Sequence, residues 1–236
     1  AQDGIRDPDH SLVGSEMCIR DRTKPMGQLR ISTMVGFGER ILLDLLDEFS
    51  QLYPDIIVDV SLSDELSALG RDDVDIAIRG GYAPNERVQA IRLMDNEFIP
   101  VASPSYLAEM GTPGSVHELR QHKGLYFRTP NGPSPWLCEL NGQWEDVSAP
   151  QVAVSNNGKW LADKAIKGEG IVMAPRWLLA PYLDRGDLQE LFFDPVLHVT
   201  QNTDMAVYLL YQKQRYLVPK VKVAVDFLVA RVRGKY

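Results

Sequence analysis

The 236-residue chain is 44% hydrophobic and 24% charged, a globular balance that excludes wholesale disorder and allows one large domain or two small ones. Twenty-five Lys and Arg stand against 32 Asp and Glu, and the net charge of −7 disfavours a nucleic-acid-binding module, which needs a clustered basic face. No apolar run reaches the roughly 18 residues of a membrane span, and Ala1–Arg22 holds no apolar core of a secretion signal.

The first 22 residues mix charge, Gly and Pro with no period of 3.6 or 2 and are expected to bury nothing. Ser11–Arg22 resembles translated sequencing-adapter read-through; the alternative is a flexible native tail. Residues 1–26 are therefore read as a leader outside the fold. Leu29–Thr33 then alternates strictly, as a strand does. A helix follows with Ile41, Leu42, Leu45, Leu46, Phe49 and Leu52 on one stripe, and Tyr53-Pro54 stops it. A strand at Ile56–Leu62, a short polar helix through Leu66 and Leu69, and a strand at Val74–Ile78 complete a βαβαβ run, the mark of a parallel sheet.

Phe98–Ala102 is a further apolar strand, after which the pattern restarts. Helices are expected near Pro104–Met110 and Val116–Gln121, then a strand at Gly124–Arg128, a Pro- and Gly-rich loop, and the aromatic stretch Trp136–Trp144. Strand Val152–Ser155, helix Lys159–Lys167, strand Ile171–Ala174 and helix Arg176–Arg185 follow, and strand Met205–Tyr211 and a helix from Val218 to about Val232 close the chain. The first sheet lacks helices for both faces, so the last helix is expected to return and cover it. The outcome is two α/β subdomains, 27–100 with 207–236 and 101–206, joined by two crossover strands, with a ligand cleft between them.

Catalytic signatures are thin: there is no phosphate-binding loop, nucleophile elbow, HExxH or CxxC, and both GxG sequences lack the third glycine of a dinucleotide site. His117 and His122, five apart, do not stack on one helix face as a metal pair. The two cysteines, Cys18 and Cys138, are too few for a disulfide framework and favour a reducing compartment. No enzyme, cofactor or metal is expected. The positive signal lies at strand-to-helix turns, where helix N-termini offer unpaired N–H groups to anions. Three turns qualify: Ser32–Gly36, Ser103–Ser105 with Ser103 as N-cap, and Ser155–Gly158; each also reads as plain capping. Arg79 and Arg128 end strands, where a guanidinium fork suits a carboxylate or phosphate, or an ordinary ion pair.

These residues resemble the effector-binding domain of LysR-type transcriptional regulators. The likeness runs from Gly27–Ser32 and Phe37-Gly38 through Tyr53-Pro54, Leu62–Asp64 and Val74–Gly81. It continues with Val101–Leu107, Gly111–Pro113, Leu119, His122, Gly168–Pro175 and Gly186–Leu188, about residues 27 to 232 in all. Ala68, where the resembling subgroup often has an acid, and Asp73, in place of a common glycine, depart from it. The resemblance implies a periplasmic-binding-protein-like (type 2) α/β fold with a small-molecule inducer between the subdomains. It implies a homodimer or homotetramer in the cytoplasm, away from membranes, that reaches promoter DNA only through a winged helix-turn-helix missing upstream of Gly27. Carried over by position, the inducer site draws on Thr33, Met34, Val35, Ser63, Arg79, Ser103, Arg128, Asn156 and Pro175. Thr33, Ser63 and Ser103 would donate hydrogen bonds, the arginines would pair an anionic group, and Met34 and Val35 would form an apolar wall. The competing reading is a solute-binding protein of a transport system, which shares the cleft but needs export.

Overall fold

Alternation in the first strand, β1 (Gly27–Thr33), holds through Ile31, with Leu29 and Ile31 buried while Gln28 and Arg30 face solvent, and then ends because Ser32 and Thr33 are both buried. The computed structural model describes residues 24–64, 74–81 and 88–235. The leader through residue 22, the helix expected through Leu66 and Leu69, and the departures at Ala68 and Asp73 lie outside the described residues. From β1 the chain passes through a helical turn (Val35–Phe37) and a wider π-helical segment (Gly38–Leu42) into α1 (Leu43–Leu52). Ile41, Leu42, Leu45, Leu46 and Phe49 form the buried stripe, but Leu52 lies off it and is 56% exposed. Tyr53 leaves helical geometry at φ −130° and stops α1 one residue before Pro54, which disfavours a helical predecessor.

Strands β2 (Ile56–Leu62) and β3 (Ile76–Gly81) flank β1, both parallel to it. Strand β4 (Val88–Asp95) is a finding that the sequence pattern did not disclose. The final strand, called β13 in chain order (Ala206–Gln212), returns between β3 and β4 and runs antiparallel to both. The first sheet thus has the order β2-β1-β3-β13-β4. The C-terminal helix, α5 (Pro219–Lys235), packs on it: Val221, Ala224, Val225, Leu228 and Val232 share one core with Leu29, Ile31, Ile78 and Phe49. Each buried Val or Leu there contributes about 1.5–3 kcal/mol. Asp75, 4% exposed, accepts hydrogen bonds from Lys220 and Arg215 and from the Arg30 amide, which ties this returning segment to β1.

The second subdomain starts at β5 (Phe98–Ala102), which pairs antiparallel with β11 (Ile171–Pro175) and β12 (Gln189–Glu190). The chain therefore passes between the two sheets at Asn96-Glu97, ahead of the boundary expected after residue 100. A strand cannot be divided between sheets while all its ladder bonds lie in one. Strands β6 (Gly124–Thr129) and β10 (Gln151–Ser155) extend the sheet to β10-β6-β11-β5-β12, with the short β7 (Gly132–Pro133) beside β6. Neighbouring residues fall on opposite sides: Leu125, Val172 and Val101 join one core, and Tyr126, Met173 and Ala102 the other. A sheet buried on both faces explains why these strands read as continuous apolar runs. One face is covered by α3 (Gly158–Ile166) and α4 (Arg176–Asp184), the other by α2 (Pro104–Met110) and the 3-10 turn Val116–Gln121. The aromatic stretch folds as the hairpin β8 (Leu137–Leu140) and β9 (Gln143–Asp146), turned by Asn141 (φ 51°) and Gly142 (φ 77°).

Candidate ligand-binding site

Parallel pairing of β1, β2 and β3 delivers their carboxyl ends to one edge of the first sheet, and β6, β10 and β11 do the same for the second. Between the two edges lies a cavity of about 500 Å³. The first subdomain contributes Met34, Gly36, Asp64, Arg79 and Gly80, and the crossings contribute Asn96 and Met205. The second subdomain faces them with Phe98, Phe127, Arg128, Ser134, Asn156, Met173, Pro175, Trp177 and Leu178, among others. The wall is mostly apolar, with a few convergent polar groups, as small-molecule sites are.

Five of the nine expected residues meet here: Met34, Arg79, Arg128, Asn156 and Pro175. Arg79 is 7% exposed, and its guanidinium donates to Ser32 Oγ at 2.7 Å and to the Ile78 carbonyl at 2.8 Å. Burial pulls its pKa below the ordinary arginine value, against the charge of Asp64. Arg79 is thus a partnered cation in the floor rather than an open fork. Arg128 is exposed at the mouth and makes no hydrogen bond or ion pair with the described residues. Asn156 is also exposed, next to Asn157, whose side chain accepts from the Trp160 amide and caps α3.

The other four stand outside the cavity lining among the described residues. Thr33 is fully buried, and its Oγ1 has no hydrogen-bond partner. Val35 forms no wall; its amide donates to Asp64 Oδ1 at 3.3 Å. The Ser63 amide donates to the Thr33 carbonyl at 2.8 Å. Ser103 stands apart from the lining: it caps α2 by accepting from the Tyr106 amide, and it follows the carboxyl end of β5. Since β5 is antiparallel to β11, that end points away from the edge where Pro175 sits. Only two of the three expected turns face the cleft.

Sequence reasoning missed Asp64, Asn96 and Trp177. Asp64 follows β2, so the parallel register that places Thr33 beside Leu62 also predicts its position. Burial raises its carboxyl pKa, opposed by the Val35 amide and the Arg79 charge. Trp177 Nε1 donates to Asn96 Oδ1 at 2.8 Å, and its ring meets Phe37 edge-on with centroids 5.8 Å apart. Arg176, one residue earlier, pairs with Glu97 in the crossing and with Glu190 on β12.

A family model described as the LysR substrate binding domain matches residues 22–233. The chain belongs to this family. The LysR domain is 29% identical over 211 residues to the transcriptional activator TtdR of Escherichia coli K12, covering 89% of the chain and 66% of that protein. It is 29% identical to the transcriptional regulator CrgA of Neisseria meningitidis serogroup B, over 87% of the chain and 67% of CrgA. The chain therefore spans about two thirds of the length of the curated relatives it matches. The structure of the CrgA regulatory domain superposes with TM-score 0.76 at 27% identity, covering 88% of this chain and all of that one. The effector-binding domain of AmpR from Citrobacter freundii, at 18% identity and TM-score 0.66, shares the fold. The LysR domain thus has the periplasmic-binding-protein-like type 2 architecture, and the transporter reading is not favoured. Among the described residues no helix is long and apolar enough to cross a membrane.

Proposed function

We propose that this LysR domain is the sensing module of a cytoplasmic, non-enzymatic transcription regulator that binds a small anionic metabolite between its subdomains. The observation that carries the reading is the 500 Å³ cavity, walled by Met34 and Arg79 from one subdomain and by Arg128, Asn156 and Pro175 from the other. A ligand touching both walls binds one relative arrangement of the subdomains better than another, and only such differential affinity shifts a conformational equilibrium. In the complete regulator, dimerisation of this domain would pass that shift to helix-turn-helix domains on promoter DNA. Arg128 and Asn156 would meet the anionic group, while Met34 and Pro175 pack its apolar part. Arg79 would contribute charge from the floor, and Thr33, Val35 and Ser63 would shape the first wall from behind.

A thermal-shift screen of small organic acids tests this. A ligand at about 100 times its Kd adds ~2.7 kcal/mol of stability, and Arg128→Ala is expected to remove the shift while the domain stays folded. A shift that survives both Arg128→Ala and Asn156→Ala would place the ligand elsewhere.

A further inference from the structure

Two charged side chains of the cavity differ in how far the protein itself satisfies them. The Arg79 guanidinium donates to Ser32 Oγ and the Ile78 carbonyl and faces the charge of Asp64. Asp64 is half-buried in the cavity wall, and its Oδ1 accepts one long bond from the Val35 amide, at 3.3 Å. Its Oδ2 accepts no hydrogen bond from the described residues. A carboxylate oxygen open to a largely apolar cavity is costly to cover with an apolar group, because a desolvated acceptor left unpaired loses its bond to water without replacement. Arg128 stands at the mouth with its donors open.

We propose that the cavity selects acids that also carry a hydrogen-bond donor, a hydroxyl or an ammonium, which Asp64 Oδ2 accepts while Arg128 holds the carboxylate. The inference rests on the sensing role proposed above and narrows its ligand class. A plain acid of the same shape would seat its carboxylate equally well and leave Asp64 facing carbon. Sites built around a polar contact reject the analogue lacking it much more strongly than apolar pockets reject a missing methylene.

The test uses matched acids that differ only in the donor: 3-phenylpropionate, 3-phenyllactate and phenylalanine, with propionate, lactate and alanine as a smaller series. Binding is measured by calorimetry and by ligand-observed NMR on the domain and on Asp64→Asn. Within a series, the hydroxy or amino acid is expected to bind at least about 10-fold more tightly than its plain counterpart. The hydroxy and amino members separate a neutral donor from a charged one. In Asp64→Asn the preference is expected to fall below about 3-fold, and the plain acid should bind at least as tightly as to the parent, because a like charge near its carboxylate is gone. Equal binding of plain and substituted acids, or a preference that persists in Asp64→Asn, overturns the inference and leaves the sensing role standing. If neither series binds, the inference fails, and the sensing role is then judged by the wider acid screen.

Discussion

Trp177, at the start of a helix in the second subdomain, donates its indole N–H to the side chain of Asn96 in the crossing between subdomains, at 2.8 Å. Asn96 is 4% exposed, so its carbonyl oxygen is largely withdrawn from bulk water. In Trp177→Phe the ring still packs toward Phe37 but the donor is gone. The expected loss is about 1–3 kcal/mol, the penalty for an unsatisfied buried acceptor, read as a lower urea midpoint at unchanged m-value. An unchanged midpoint would mean that the bond does not hold the two subdomains together.

Much of this architecture was legible because apolar spacing reports burial directly. The stripe from Ile41 to Phe49 and the return of the last helix onto the first sheet emerged as expected. Strand β4 escaped notice because several of its side chains are only half-buried, so no clean alternation marks it. The β8–β9 hairpin carried a readable signal, Asn141-Gly142, whose left-handed dihedrals turn two short strands. Strand direction left no trace in the residues. That is why Ser103, placed by pattern at a cleft edge, sits at the opposite end of its sheet, whereas Arg128 and Pro175 line the cavity.

Gly38 is a second position where the packing is decisive. A Cβ there would lie 2.3 Å from Leu62 Cδ2 and 3.0 Å from Thr33 Cγ2. Helix propensity alone would make Gly38→Ala stabilising by up to about 1 kcal/mol. Overpacking costs about 1–3 kcal/mol, and because Thr33 is fully buried and the half-buried Leu62 side chain would have to move, we expect net destabilisation in chemical denaturation. A stabilised variant would show that Leu62 repacks freely.

Thr33 presents the opposite situation. Its hydroxyl is buried without a partner, so Thr33→Val exchanges an unsatisfied oxygen for a methyl of similar size. The variant is expected to be as stable as the parent or more stable by about 1 kcal/mol. Ligand affinity should change less than threefold, because Thr33 does not line the cavity. A large loss of affinity at unchanged stability would restore Thr33 as a direct contact.

His122 supplies a pH dependence. It is 6% exposed, its Nδ1 lies 3.1 Å from the Tyr106 hydroxyl, and burial lowers its pKa despite the nearby charge of Glu118. Tyr106 Oη also accepts the Lys123 amide, and protonating the imidazole would turn both of its ring nitrogens into donors in this buried site. The unfolded chain takes up a proton near pH 6.5, whereas the folded chain does so only at lower pH. Between these values the unfolded state binds more protons, so stability rises with pH across that window and falls as acid is added. NMR titration of the imidazole should give a value below 6.5, and the fall in stability from pH 7 to 5.5 should be smaller in His122→Gln.

Ser103 and Arg128 separate capping from ligand binding most sharply. Ser103→Ala removes the cap of Pro104–Met110, where the hydroxyl accepts the Tyr106 amide, and should cost about 1 kcal/mol. Its position at the far end of β5 predicts no change in ligand affinity. Arg128→Ala removes an exposed side chain with no partner among the described residues, so stability should stay within about 0.5 kcal/mol. Losing a charge-assisted contact to a carboxylate typically costs about 1.5–3 kcal/mol, and each 1.4 kcal/mol is tenfold in Kd, so acid binding should weaken by roughly 10- to 100-fold. Calorimetric titration of both variants beside their urea curves decides the matter. Reversal of the pattern, with Ser103→Ala weakening binding and Arg128→Ala leaving it intact, would move the site off the cleft between the subdomains.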